Sequence, residues 1–335
     1  MKKMINKPEC YVDEAIEGIV LAYPENLGFF EGDKKVVVSK YPVKEGKVGI
    51  VTGGGFGHLP LFLGYVGAGM VDACAIGNVF ASPSYTKMEK AIRAADRGNG
   101  VLCLYGNYGG DKMNFVQAIE DVELEGVECK QVLGTDDIAS SPKEQFQKRR
   151  GVAGIIYAYK IAGAAADEMW TLDEVTRVAK KTVENTRTLG FALSPCIVPE
   201  AGKPTFSIDE DEIEVGMGIH GEKGIFVRTK MTADEVAEMA VEVILKDMLL
   251  HKGEEVSVMV NGLGATPMEE QFIVYRKVMY LLTSMGIKVI LPHIGEFATS
   301  MEMAGISITI FKLDAELKKL MEAPAATPFY TNLNR

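Results

Sequence analysis

The sequence predicts an α/β protein of two lobes, the first with a mainly parallel sheet covered by helices, the second smaller with a mixed sheet. Three observations carry this. Short apolar runs alternate with helical patterns through the first half. After Gly190 the texture changes to short strands and turns, punctuated by Pro199, Gly202 and Pro204. The chain has 335 residues, 47% of them hydrophobic, which is too long for one ordinary core and apolar enough to fill two.

Taken in order, Val48 to Thr52 is short and β-branched and reads as a buried strand ending in glycines. Ser84 to Arg97 follows Pro83 as a helix, with Ser82 a candidate N-cap. Val101 to Tyr105 is a second strand. Its loop, Gly106 to Gly110, leads into a helix over Asp111 to Glu125. A strand near Lys130 precedes helices at Gly151 to Asp167 and Thr171 to Thr188, the latter opened by a Thr171/Glu174 capping box. Beyond the texture change come a helix over Met231 to Leu250, a strand at Val256 to Val260 and a helix over Pro267 to Met285. Strands at Val289 to Pro292 and Ile306 to Leu313 complete the pattern. The boundary falls near residues 186–190, giving a first lobe over 1–186 and a second over 187–314 that carries the His220 loop. Residues 315–335 are expected to pack back on the first lobe.

Composition narrows the function. Acidic residues outnumber basic ones by 46 to 36, and a surface with net charge -10 repels nucleic acid and anionic membrane. The most apolar stretch, Leu61 to Val79, is broken by Asp72 and by glycines, so it reads as core and not as a membrane span. The basic N-terminus lacks the apolar segment of a secretory signal. The five cysteines show no CxxC spacing, as in a reduced, cytoplasmic protein.

Four histidines can be weighed against bland alternatives. His251 ends an amphipathic helix, where a cation complements the helix dipole. His293 follows a strand and fits a satisfied loop histidine. His58, in TGGGFGHLP, and His220, in VGMGIHGEKG, stand among glycines, which let a ligand approach the backbone closely. The run Gly53 to Gly57 is neither a P-loop, since no lysine and hydroxyl follow, nor a dinucleotide fingerprint, since His58 takes the third glycine's place. Asp111, where a glycine loop enters a helix, is either an N-cap or a general base facing a pocket at the strand ends. No metal-ligand spacing and no GxSxG elbow accompany these residues. Acid–base or covalent work on a small polar substrate remains.

The motifs GGGFGH, GYVGAGM, FASPS, NYGGDKMNF, RRGVAG, KIAGAAA, ALSPCIVPEAGKPTF, GMGIHGEKG and NGLGATPMEEQ, with the N-terminal MKKMIN, occur in the order found in substrate-binding subunits of dihydroxyacetone kinases. The chain resembles that family nearly end to end, in its bacterial, phosphotransferase-system-linked form. The resemblance implies that a hydroxyketone such as dihydroxyacetone is held covalently on His220 as a hemiaminal. His58 would bond the substrate oxygen, and Asp111 would accept the proton of the attacking hydroxyl. Gly55, Phe56, Gly57, Gly106 and Ser82 would complete the substrate site, without a metal. It further implies a homodimer and no cofactor in this chain. ATP or ADP with Mg would sit on a separate nucleotide-binding subunit, recharged by a phosphohistidine-carrying protein. That the chain ends at Arg335, soon after its last strand, fits this layout. The chain departs from the family pattern at Phe56, Leu59, Gly106 and Gly109, where serine, glutamate, lysine and threonine are usual. These departures leave open a larger ketose such as a tetrulose. They also leave open a sensor that binds dihydroxyacetone and co-activates transcription.

Overall fold

A computed structural model describes residues 2–333. Met1, at the start of the N-terminal motif, and Asn334 and Arg335, at the end of the stretch 315–335, lie outside the described residues. The fold is mixed α/β, and its strands gather into two main sheets.

The first sheet takes β1 (Leu27–Phe30), β2 (Asp33–Ser39), β3 (Gly49–Phe56), β4 (Ala73–Val79), β5 (Val101–Gly106) and β6 (Cys129–Gly134), in the order β1-β2-β4-β3-β5-β6. The four strands from β4 to β6 are parallel, and β2 and β1 extend the sheet antiparallel at one edge. Because the parallel strands are covered on both faces, their residues are apolar without alternation. On one face α2 (Tyr85–Ala95) and α3 (Gly109–Glu123) pack Met88, Ile92, Phe115 and Val122 against Val51, Val101 and Cys103. On the other lie α1 (Tyr11–Ala22), α4 (Ile155–Asp167) and α5 (Leu172–Glu184).

The second sheet runs β11-β10-β13-β7-β8-β9, with β12 also paired to β10. Its strands are β7 (Thr186–Ala192), β8 (Glu212–Val215), β9 (Phe226–Thr229), β10 (Glu255–Gly262), β11 (Lys288–Val289), β12 (His293–Gly295) and β13 (Gly305–Leu313). Parallel β11 and β12 join an otherwise antiparallel set, so this sheet is mixed. Along β10, Val258 and Val260 face α6 (Ala233–Asp247) and α7 (Met268–Ser284), whereas Met259 between them turns to the core shared with α4. Helix α4 therefore lies between the sheets, and only Asp167 of its thirteen residues escapes burial. Tyr157 of α4 stacks obliquely on Phe311 of β13 at 4.9 Å, and α8 (Ala315–Glu322) packs Leu317, Leu320 and Met321 into the same core.

Asp136, fully buried just after β6, joins the halves. It accepts hydrogen bonds from the amides of Val152 and Gly154, at 3.0 and 2.8 Å, and from the Thr188 hydroxyl of β7 at 2.6 Å.

Several local expectations are corrected. β3 continues through the glycines to Phe56, paired parallel with β4 although the register shifts between Gly54 and Phe56. Ser82 is not an N-cap: α2 starts at Tyr85 with Ser84 at its cap position, and Pro83 intervenes. Asp111 is not a cap either. The helix opens two residues earlier, at Gly109, so Asp111 sits inside the first turn. The helix opened by Thr171 stops at Glu184, and Thr186 and Thr188, being β-branched, belong to β7. His251 lies beyond the end of α6 at Asp247 and is exposed. The strand expected at Val289 to Pro292 ends at Val289, since Leu291 takes a φ of 47° and Pro292 has no amide to donate. α1, β1 and β2 were not foreseen.

Asp136→Ala should cost on the order of 3 kcal/mol, because it strips two buried amides and a hydroxyl of their acceptor. Asp136→Asn, which keeps one acceptor oxygen, should cost less. Urea denaturation of both variants beside the unaltered chain checks this.

Candidate functional site

β3 ends against the turn after β4, and that approach shapes the first half of the site. The Phe80 amide donates to the Phe56 carbonyl at 2.9 Å, and Phe80 holds a φ of 55°. The Phe80 ring stacks on the His58 imidazole at 4.8 Å with 19° between planes. Gly57 makes room for it: its φ is 107°, and a Cβ there would stand 2.8 Å from the Phe80 ring. The His58 Nδ1–H donates to the Thr299 carbonyl at 2.8 Å. A carbonyl only accepts, so the proton sits on Nδ1 and Nε2 is left bare. Nε2 is buried and has no partner among the described residues. Burial, reinforced by the neighbouring His220, pushes the His58 imidazole down to about 3, and it stays neutral at ordinary pH.

The second half comes from the turn after β8. His220 meets His58 edge-on, with ring centroids 4.7 Å apart, and Tyr108 packs on it at the same distance and an interplanar angle of 86°. Its Nδ1 is 2.9 Å from Oε1 of Glu222, and its amide donates to Oε2 of the same carboxylate at 2.9 Å. Burial works against the Glu222 charge, but the bond to His220 and the Arg150 guanidinium hold the carboxyl down at about 2. The carboxylate therefore accepts and Nδ1 donates, which in the neutral ring leaves the lone pair on the His220 Nε2. Arg150 lies 3.8 Å from Glu222 and is itself paired with Asp137 at 2.8 Å. Glu222 and Arg150 both cross Gly218, where a Cβ would stand 2.1 Å from Oε2 and 2.5 Å from Nη1.

The third member is Asp111 in the first turn of α3. It is 6% exposed, and its Oδ1 is buried without a partner among the described residues. Burial raises its carboxyl to about 6, while the Ser82 hydroxyl and His220 pull the other way. The Asn114 amide donates to the Ser82 hydroxyl at 3.3 Å.

The structure thus brings His58, His220, Asp111, Ser82 and Gly57 together. Gly55 stands against the Phe80–Ala81 backbone. Gly106 lies under the Tyr108 ring, which a Cβ would meet at 3.0 Å. Phe56 does not stack on either histidine: its ring meets Tyr11 of α1 edge-on at 5.9 Å, because the pleat turns it into the first lobe's core. Phe80, Tyr108 and Glu222 were missed. Glu222, two residues from His220, was open to detection; Phe80 needed the fold. His293 sits in another place, stacked on Tyr330 at 5.8 Å with Nε2 3.1 Å from its hydroxyl, and reads as a satisfied core histidine. Among the described residues no cluster of three or more metal-ligating side chains forms, and no helix is long and apolar enough to cross a membrane.

Bare nitrogens and a raised carboxyl around one point suit capture of a carbonyl compound and removal of a proton from its hydroxyl. The Dak1 domain family matches residues 17–329. The chain is 43% identical over 330 residues to PTS-dependent dihydroxyacetone kinase 2, dihydroxyacetone-binding subunit DhaK, of Listeria innocua, covering 98% of this chain and 99% of that protein. It is also 43% identical to an L-erythrulose kinase of Pectobacterium atrosepticum, over 98% of this chain but 56% of that longer protein. The crystal structure of the dihydroxyacetone kinase of C. freundii superposes with a TM-score of 0.89 at 31% identity, over 99% of this chain and 60% of that one. The dihydroxyacetone kinase operon co-activator Dha-DhaQ superposes with a TM-score of 0.86 at 32% identity, over 96% of this chain and 98% of that one.

Asp111 supplies a pH test. Its folded-state carboxyl, at about 6, lies above the unfolded value of 3.8, so ionisation costs stability. The cost is absent below about pH 4 and reaches on the order of 3 kcal/mol once pH exceeds the folded value. Asp111→Asn should therefore melt higher than the unaltered chain at pH 8, with the difference vanishing towards pH 4 in calorimetric scans.

Proposed function

Because the chain belongs to the Dak1-domain family of kinases, we propose that it is the substrate-binding subunit of a dihydroxyacetone-type kinase. The observation that carries this is the His220 imidazole, held at Nδ1 by Glu222 and set edge-on to His58 at 4.7 Å, in a cluster where Nε2 of His58 and Oδ1 of Asp111 are buried without partners among the described residues.

The His220 Nε2 lone pair forms a bond to the ketone carbon, and the carbonyl π pair moves to oxygen. The oxygen takes up one proton and the imidazole gives up its Nδ1 proton through Glu222, so the product is a neutral hemiaminal. Only carbonyl compounds undergo this addition, which separates a ketose from a polyol of the same size. His58 accepts a hydrogen bond from a substrate hydroxyl at its bare Nε2. Asp111 accepts the proton of the hydroxyl that attacks phosphorus, and a carboxyl near 6 is a carboxylate at neutral pH with useful basicity. The donor is a separate nucleotide-bearing subunit carrying ATP or ADP with Mg, recharged by a phosphohistidine protein in the cytoplasm, and this chain works as a homodimer. The substrate is dihydroxyacetone or a four-carbon ketose. The similarity to the L-erythrulose kinase favours including the latter.

A second reading is a ketose sensor, favoured by the likeness to the co-activator over nearly its whole length. Intact-protein mass spectrometry with dihydroxyacetone and erythrulose tests capture. An adduct is expected on the unaltered chain and absent from His220→Ala. With a nucleotide subunit from a relative, Asp111→Asn should keep the adduct but form phosphate ester at least about 10²-fold more slowly. Capture without any ester from the unaltered chain would replace the kinase by the sensor. No capture of either ketose would remove both.

A further inference from the structure

The two imidazoles come from different sheets, yet one dipeptide between β12 and β13 is bonded to the segments that carry both. The Thr299 carbonyl accepts the His58 Nδ1–H at 2.8 Å. The Thr299 amide donates to the His58 carbonyl at 3.2 Å, and its hydroxyl donates to the Leu59 carbonyl at 2.8 Å. Ser300 reaches the other way. Its hydroxyl donates to the carbonyl of Ile219, the residue before His220, at 2.5 Å. Ser300 is wholly buried, its amide donates to the Leu263 carbonyl at 2.8 Å, and the Met301 amide donates to the Gly57 carbonyl at 2.8 Å.

Glycines bound both loops so held. Gly57 precedes His58, while Gly216 and Gly221, both with φ of 81°, bracket His220. Glu222 fixes His220 from one side only, through its amide and Nδ1.

We propose that Thr299–Ser300 is the positioning element of the two-histidine site. Thr299 sets the tautomer and place of His58, and Ser300 sets the backbone from which His220 projects. Neither residue touches the reacting atoms; each acts through a histidine. The inference rests on the reading of His220 as the ketose-capturing nucleophile. Its physical basis is that a buried hydrogen bond on a glycine-bounded loop confines an attacking atom that would otherwise sample several positions.

The test uses the full chain as Ser300→Ala, Thr299→Val and Thr299→Ser. Adduct formation is titrated with dihydroxyacetone, imidazole ¹⁵N shifts are recorded without ligand, and melting is followed in parallel. Ser300→Ala should raise the apparent dissociation constant of the adduct about 10-fold. Thr299→Val keeps the backbone carbonyl that accepts the Nδ1–H but removes the hydroxyl's bond to the Leu59 carbonyl, so it should weaken capture and displace the His58 ¹⁵N shifts as the ring moves against that carbonyl, and Thr299→Ser, which keeps the hydroxyl, should restore both. Capture within about twofold of the unaltered chain and unchanged shifts, whatever happens to melting, would overturn the proposal. Should Ser300→Ala fail to fold, the Thr299 pair decides by the same criteria. Should the unaltered chain form no adduct, the function reading falls, and the His58 shifts in the Thr299 pair still decide whether the dipeptide positions that ring.

Discussion

Everything in the molecule depends on α4 being a shared core for two sheets. A helix with all but one residue buried cannot be satisfied by one lobe alone, so the first sheet packs on one side and β10 and β13 on the other. Asp136 fixes the same junction with polar bonds to the α4 approach and to β7. Once the lobes are so oriented, the turn after β3 and the turn after β8 must face each other, and the connection through Thr299 and Ser300 closes behind them. His58 and His220 meet because the cores meet.

The site carries an energetic cost that the cores offset. A buried polar atom without a partner destabilises by roughly 1–3 kcal/mol, and among the described residues His58 Nε2, Tyr108 Oη and Asp111 Oδ1 are three such atoms on residues of the site. The His58 and Asp111 atoms find partners in substrate hydroxyls under the proposed function. The electrostatics divide the labour. Glu222, pinned as a carboxylate, orients the His220 proton to Nδ1, whereas Asp111, raised by burial, retains the basicity needed to take a proton.

What the sequence made legible follows from local physics. Glycines around His58 and His220 marked both loops because close backbone approach is a local requirement. The apolar runs of β5, β10 and β13 were read because fully or half-buried strands announce themselves by composition. The hairpin β1–β2 was not: it lies at a sheet edge, and Asp33, Lys34 and Lys35 open β2 before its three valines. Phe56 and Phe80 show the limit. Both are aromatic residues at strand ends near His58, and only the pleat and a φ of 55° decide that Phe80 stacks on the imidazole while Phe56 turns to Tyr11. Thr299 stands 241 residues from His58, and no local pattern signals such a bond.

The central claim is that the inter-lobe cluster takes a ketone at the Nε2 atom of His220. A crystal structure of the chain soaked in dihydroxyacetone tests it most directly. A tetrahedral carbon bonded to that nitrogen is expected, with substrate hydroxyls at Nε2 of His58 and Oδ1 of Asp111. A ketose bound elsewhere, or an unmodified His220 beside an intact carbonyl, would contradict it.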